Sequence, residues 1–91
     1  MLNESVKPMS RDDVQYCELD DGGAIYDTVR ERVHTLNLTA SYIWNLCDGS
    51  RSVLEIVSEV RRLTNVPTDT ASRDVREAIL YFQNEGMLRI Q

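Results

Sequence analysis

Ser52-Val53-Leu54-Glu55 constrains this chain more than any other stretch. A serine followed three residues later by glutamate, ahead of an apolar run, is a capping box. The hydroxyl accepts from the N–H of the glutamate, and the glutamate reaches back to the serine N–H. Two donors that a helix start leaves orphaned are thereby satisfied. Val53, Ile56, Val57, Val60 and Leu63 then recur at helical spacing. Arg61 and Arg62 fall in the last turns, where cations suit the negative end of the helix dipole. With this helix anchored, the elements on either side must pack around it.

Upstream, Asn37 is a good N-cap, and the helix it opens runs to about Cys47 with Ala40, Ile43, Leu46 and Cys47 on one stripe. Asp48-Gly49 ends it, since glycine takes the left-handed conformation after a helix without steric cost. Downstream, "TNVPTD" (64–69) is a loop in which Pro67 blocks continuation. A third helix begins between Asp69 and Asp74 and runs to Glu85, with Val75, Ala78, Ile79 and Phe82 as its stripe. Gly86 follows as its stop, and Met87-Leu88 can fold back on it.

Before the helices, "VQYCEL" (14–19), "DDGG" (20–23) and "AIYD" (24–27) read as strand, turn and strand. "TVRE" (28–31) connects to a third strand, "RVHTL" (32–36). There Arg32, His34 and Leu36 share one face and Val33 and Thr35 the other. Residues 1–12 lack periodicity, contain Pro8 and are expected to form a flexible N-terminal arm, leaving 13–91 as the folded unit. The expected fold is α+β: a three-stranded antiparallel sheet followed by three helices, the plan of a winged helix-turn-helix with its hairpin at the N-terminus.

Helix-turn-helix shapes often hold DNA, but charge argues against it here. Fifteen acidic residues face ten basic ones, only one of them lysine, for a net charge of −5. Phosphate binding needs clustered cations, and the exposed arginines expected on the third helix are interleaved with Asp74, Glu77 and Glu85. A winged-helix DNA-binding regulator remains the alternative function.

Chemistry is equally thin. Cys17, Cys47 and His34 do not form the paired ligands of a structural zinc site, and the cysteines read as small buried hydrophobes. Trp44 reads as a core residue between Ile43 and Leu46. No phosphate loop or nucleophile motif is present, so no catalytic residue, metal or cofactor is expected. With no apolar run of membrane-spanning length and no secretory pattern at the N-terminus, a cytoplasmic location without membrane partners is the default.

A sheet edge offers one further activity. Its unpaired N–H and C=O groups can accept an extended peptide as an added strand, with a neighbouring helix as apolar wall. The same edge could instead pair two copies of the chain.

"HTLNLTASYIWNLCDGSRSVLEIVSEV" (34–60) resembles the PqqD family, also described as RiPP recognition elements. The residues that carry this are Leu36-Asn37, Thr39-Ala40, Ile43-Trp44, Leu46, Asp48-Gly49, Arg51, Ser52-Val53, Glu55 and Ile56. "DVREAILYFQNEGML" (74–88) is similar to the family's closing helix. The resemblance implies a non-enzymatic binder of the leader segment of a ribosomally made precursor peptide. The leader adds beside the third strand, against the third helix, and is presented to a maturation enzyme. That enzyme is a radical S-adenosylmethionine enzyme in pyrroloquinoline quinone biosynthesis, and a leader peptidase or another enzyme in lasso-peptide and related systems. Carried onto this chain, Arg32, Val33, His34 and Thr35 form the docking strand, and Arg76, Ile79, Leu80 and Gln83 the groove wall. The opposite flank, with Tyr81 and Glu85, is a rival wall, because helix roll is not readable from the pattern. Arg73 or Arg76 would pair with acidic leader residues. "VQYCELDDGGAIYDTVRE" (14–31) carries the hairpin but little that marks a pyrroloquinoline quinone member in particular.

Overall fold

The computed structural model describes residues 3–90; Met1, Leu2 and Gln91, at the ends of the expected arm and domain, lie outside the described residues. A short strand, β1 (Pro8–Ser10), precedes three longer ones: β2 (Val14–Leu19), β3 (Gly22–Asp27) and β4 (Arg32–Asn37). Helices α1 (Leu38–Leu46), α2 (Val53–Thr64) and α3 (Thr68–Asn84) follow, and β5 (Leu88–Ile90) closes the described chain. β2, β3 and β4 form an antiparallel sheet in that spatial order, as expected, while β1 and β5 make a separate two-stranded ribbon.

The helix boundaries follow their local chemistry. Asn37 accepts from the Ala40 N–H at the start of α1. Ser52 and Glu55 exchange both bonds of the capping box at α2. Asn65 then takes the left-handed conformation at the end of α2, with φ +57°. α3 starts slightly earlier than expected, at Thr68 directly after Pro67, whose fixed φ fits a helix entry. Gly86, at φ +72°, turns the chain out of α3.

The core lies where α1, α2 and α3 meet the inner face of the sheet. Ile25, Ile43, Ile56, Ile79, Phe82 and Met87 are fully buried. Trp44 is buried too, its ring packed edge to face with that of Phe82 at a centroid distance of 5.1 Å. Each such side chain contributes about 1.5–3 kcal/mol relative to exposure. No described helix is long and apolar enough to cross a membrane, and the described residues hold no metal-competent cluster of His, Cys, Asp or Glu.

The N-terminal segment departs from the expected arm. Pro8, Met9 and Ser10 pair with Ile90, Arg89 and Leu88. The Ser10 N–H donates to the Cys47 carbonyl and that of Gly49 to the Pro8 carbonyl. The carbonyls of Val6 and Glu4 accept from the N–H groups of Val53 and Leu54, serving the open start of α2. The segment is held by backbone bonds over very few residues, which leave no side-chain periodicity to read.

The two cysteines also divide. Cys47 is buried, but Cys17 is exposed on the outer face of β2, so the expectation of two buried thiols is corrected for Cys17. Burial, aided by the neighbouring Asp48 carboxylate, pushes the Cys47 thiol up to about 12. Thiolate is the reactive form. Iodoacetamide on the native protein should therefore modify Cys17 alone, with Cys47 reacting only after denaturant is added. Peptide mass spectrometry reads the two sites separately, and equal native labelling would contradict this packing.

Candidate functional site

Among the described residues β4 pairs only with β3, in the register Ile25↔His34 and Ala24↔Thr35, and its other side is an open edge. The hairpins determine which groups face outward. The two-residue connection Asp20-Asp21 closes on the Leu19↔Gly22 pair, which is hydrogen-bonded in such a loop. Bonding then alternates along an antiparallel ladder. Gly22, Ala24 and Tyr26 direct their backbone groups to β2, and Gly23, Ile25 and Asp27 direct theirs to β4. It follows that His34 and Leu36 are bonded to β3, while Val33 and Thr35 turn N–H and C=O to the open edge.

The start of β3 and the turn before β4 hold this edge in place. A Cβ on Gly22 would sit 1.9 Å from the Leu36 carbonyl oxygen, so only glycine lets β3 approach β4 so closely there. Asp27, fully buried, organises the turn: its carboxylate accepts from the N–H groups of Val29 and Arg30 and from the Arg30 guanidinium. Burial alone would raise its pKa, but the bonds from Arg30 and Val29 outweigh it and hold the carboxyl below the usual range.

α3 runs beside the edge. His34 Nδ1 and the Tyr81 hydroxyl are hydrogen-bonded at 2.7 Å, with the rings edge to face. His34 Nε2 lies 4.0 Å from Glu85 Oε1 and has no hydrogen-bond partner among the described residues. A proton on Nε2 would face that carboxylate and leave Nδ1 to accept from the Tyr81 O–H. The Arg32 guanidinium donates to the same Glu85 oxygen at 2.6 Å. These contacts tie the first half of β4 to the last turns of α3.

Beyond them a cavity of about 350 Å³ opens between the second half of β4, α1 and α3. Thr35, Leu36 and Asn37 line it from the strand, and Ala40 and Ile43 from α1. From α3 come Asp74, Glu77, Ala78, Tyr81 and Phe82. Backbone groups open to pairing, an apolar lining and a polar rim together suit an extended segment of polypeptide.

The residues expected at this site separate. Arg32, Val33, His34 and Thr35 lie on the edge strand, with Val33 two-thirds exposed on the outer face and the His34 side chain buried in the seam with α3. Ile79 is fully buried in the core. Arg76, Leu80 and Gln83 are exposed on the flank of α3 beyond its buried stripe and do not line the cavity. The buried stripe Ala71, Val75, Ile79 and Phe82 sets the roll of α3 and turns the rival flank toward β4. The expected wall residues Arg76, Ile79, Leu80 and Gln83 do not line this cavity; beside Phe82, its α3 side is formed by Asp74, Glu77, Ala78 and Tyr81. These four share one helical face at spacings of three and four, a signal that becomes legible only once the roll is known.

A search of curated protein sequences returned no match. Among solved structures, TbiB1 in complex with the TbiA(beta) leader peptide superimposes with a TM-score of 0.77 at 23% identity, covering 89% of this chain and 94% of that one. Lasso peptide synthetase B1 complexed with the leader peptide gives a TM-score of 0.77 at 19% identity, covering 91% and 98%. At such identities the likeness establishes the shared fold. The sequence model of the family described as Coenzyme PQQ synthesis protein D (PqqD) matches residues 22–88, from the first residue of β3 into β5. That span contains the edge strand, all three helices and every residue of the groove wall, and the chain belongs to the PqqD family.

Proposed function

We propose that this chain is a non-catalytic module that binds the leader segment of a ribosomally made precursor peptide and presents it to a maturation enzyme. The leader adds to β4 as a fourth strand, bonded to the outward groups of Val33 and Thr35, with alternate side chains entering the cavity against α3. The observation that carries this is the open β4 edge lying directly beside that cavity. Family membership supports it, as do the leader peptides bound to the two structural neighbours. The receiving enzyme, a radical S-adenosylmethionine enzyme or a leader peptidase, belongs to the same proposal, as does action in the cytoplasm.

No observation favours duplex DNA. Arg11, Arg30, Arg32, Arg51, Arg62 and Arg73 are all engaged in ion pairs, which leaves few free cations for phosphates. Titration of the labelled protein with a synthetic leader from a precursor gene beside its own tests the proposal. Amide signals of Val33 and Thr35 should shift, together with those of Glu77, Ala78 and Tyr81. Shifts produced by duplex DNA, with no response to the leader, would overturn it.

A further inference from the structure

The groove is acidic where it meets α3. Asp74 and Glu77 line it one turn apart, and no described lysine, arginine or histidine does. Glu77 is exposed and makes no ion pair or hydrogen bond among the described residues. Asp74 has one ion partner, Arg73 at 3.6 Å, and that guanidinium is mostly in solvent. Arg76, the expected partner for an acidic segment, is exposed and does not line the cavity. The net charge of −5 adds to the local field instead of offsetting it. Leu36, Ala40, Ile43, Ala78 and Phe82 supply the apolar part of the lining, and Thr35, Asn37, Thr39 and Tyr81 the uncharged polar part.

Resting on the strand-addition proposal above, we infer that the segment this groove selects carries a lysine or arginine facing Asp74 and Glu77. An apolar side chain on the same face of that strand fills the space against Ile43 and Phe82. An extended strand sends every second residue to one face, so the basic and apolar residues stand an even number of positions apart. An acidic residue at the basic position meets two like charges, only one of which has a cation beside it among the described residues, which selects against it.

Selection of short random peptides displayed on phage tests this, using native protein, Glu77→Lys and Thr35→Pro as parallel baits. The Glu77 carboxylate has no ion pair or hydrogen bond among the described residues for its replacement to break, and an amide spectrum checks that Glu77→Lys is folded. The native pool should be rich in lysine and arginine and poor in aspartate and glutamate relative to the starting library. Its members should bind Glu77→Lys roughly three- to tenfold more weakly, as expected when one partly exposed attraction becomes a repulsion. A native pool no more basic than the library, or affinities unmoved by Glu77→Lys, overturns the inference while leaving strand addition standing. A pool that binds Thr35→Pro as tightly as native protein overturns strand addition itself, and this inference with it.

Discussion

Phe82→Ala should destabilise the domain by about 3–5 kcal/mol, the usual cost of removing a fully buried aromatic ring. Phe82 is completely enclosed, packs edge to face with Trp44 at a centroid distance of 5.1 Å, and meets Tyr81 at a centroid distance of 6.0 Å. It stands where α1 and α3 meet, next to the groove, so the void cannot close without moving one helix against the other. Domains of this size hold only about 5–15 kcal/mol in total. The variant should therefore show a much lower urea midpoint with little change in slope, and partial unfolding near body temperature. A loss under about 1 kcal/mol would mean that this ring is not the packing centre described here.

Thr35→Pro should leave the domain folded and remove most of its affinity for an added strand, a loss of about tenfold or more. The Thr35 N–H faces the open edge and bonds nothing in β3, the one kind of strand position where proline is tolerated. Its ring removes a donor from the incoming ladder and places bulk where the new strand must approach. His34→Pro is the matched control. That N–H is bonded to Ile25, so its loss should unfold the sheet instead. Calorimetric titration with a leader segment, beside thermal melts of both variants, separates the cases. Native affinity in folded Thr35→Pro would move the docking site away from β4.

What could be read in advance was local. Ser52 with Glu55, Asn37 with Ala40, and Gly86 after α3 each depend on atoms a few residues apart, and all appear where expected. The alternation of β4 was legible for the same reason, because it puts His34 and Leu36 inward whatever lies across from them. The roll of α3 was not legible. Two polar flanks border its buried stripe, and only packing against α1 and α2 decides which one faces β4. The β1–β5 ribbon was hidden more deeply, since it joins three-residue segments from opposite ends of the described chain. At Cys17, a residue type usually found inside sits on the solvent face of an edge strand.

The sheet has two edges, and they are not equivalent. At β4 the edge is flanked by a cavity, with Arg32 and Glu85 neutralising one another nearby. Around β2 the exposed acidic residues Asp12, Asp13, Glu18, Asp20 and Asp21 cluster, and among the described residues only Asp13 has a cation beside it, on Arg11. Two copies meeting through β2 would press like charges together, a common defence against edge-to-edge aggregation. Copies of this chain stacking onward into fibrils would have to use the defended β2 edge, so that route is disfavoured while the β4 edge stays open.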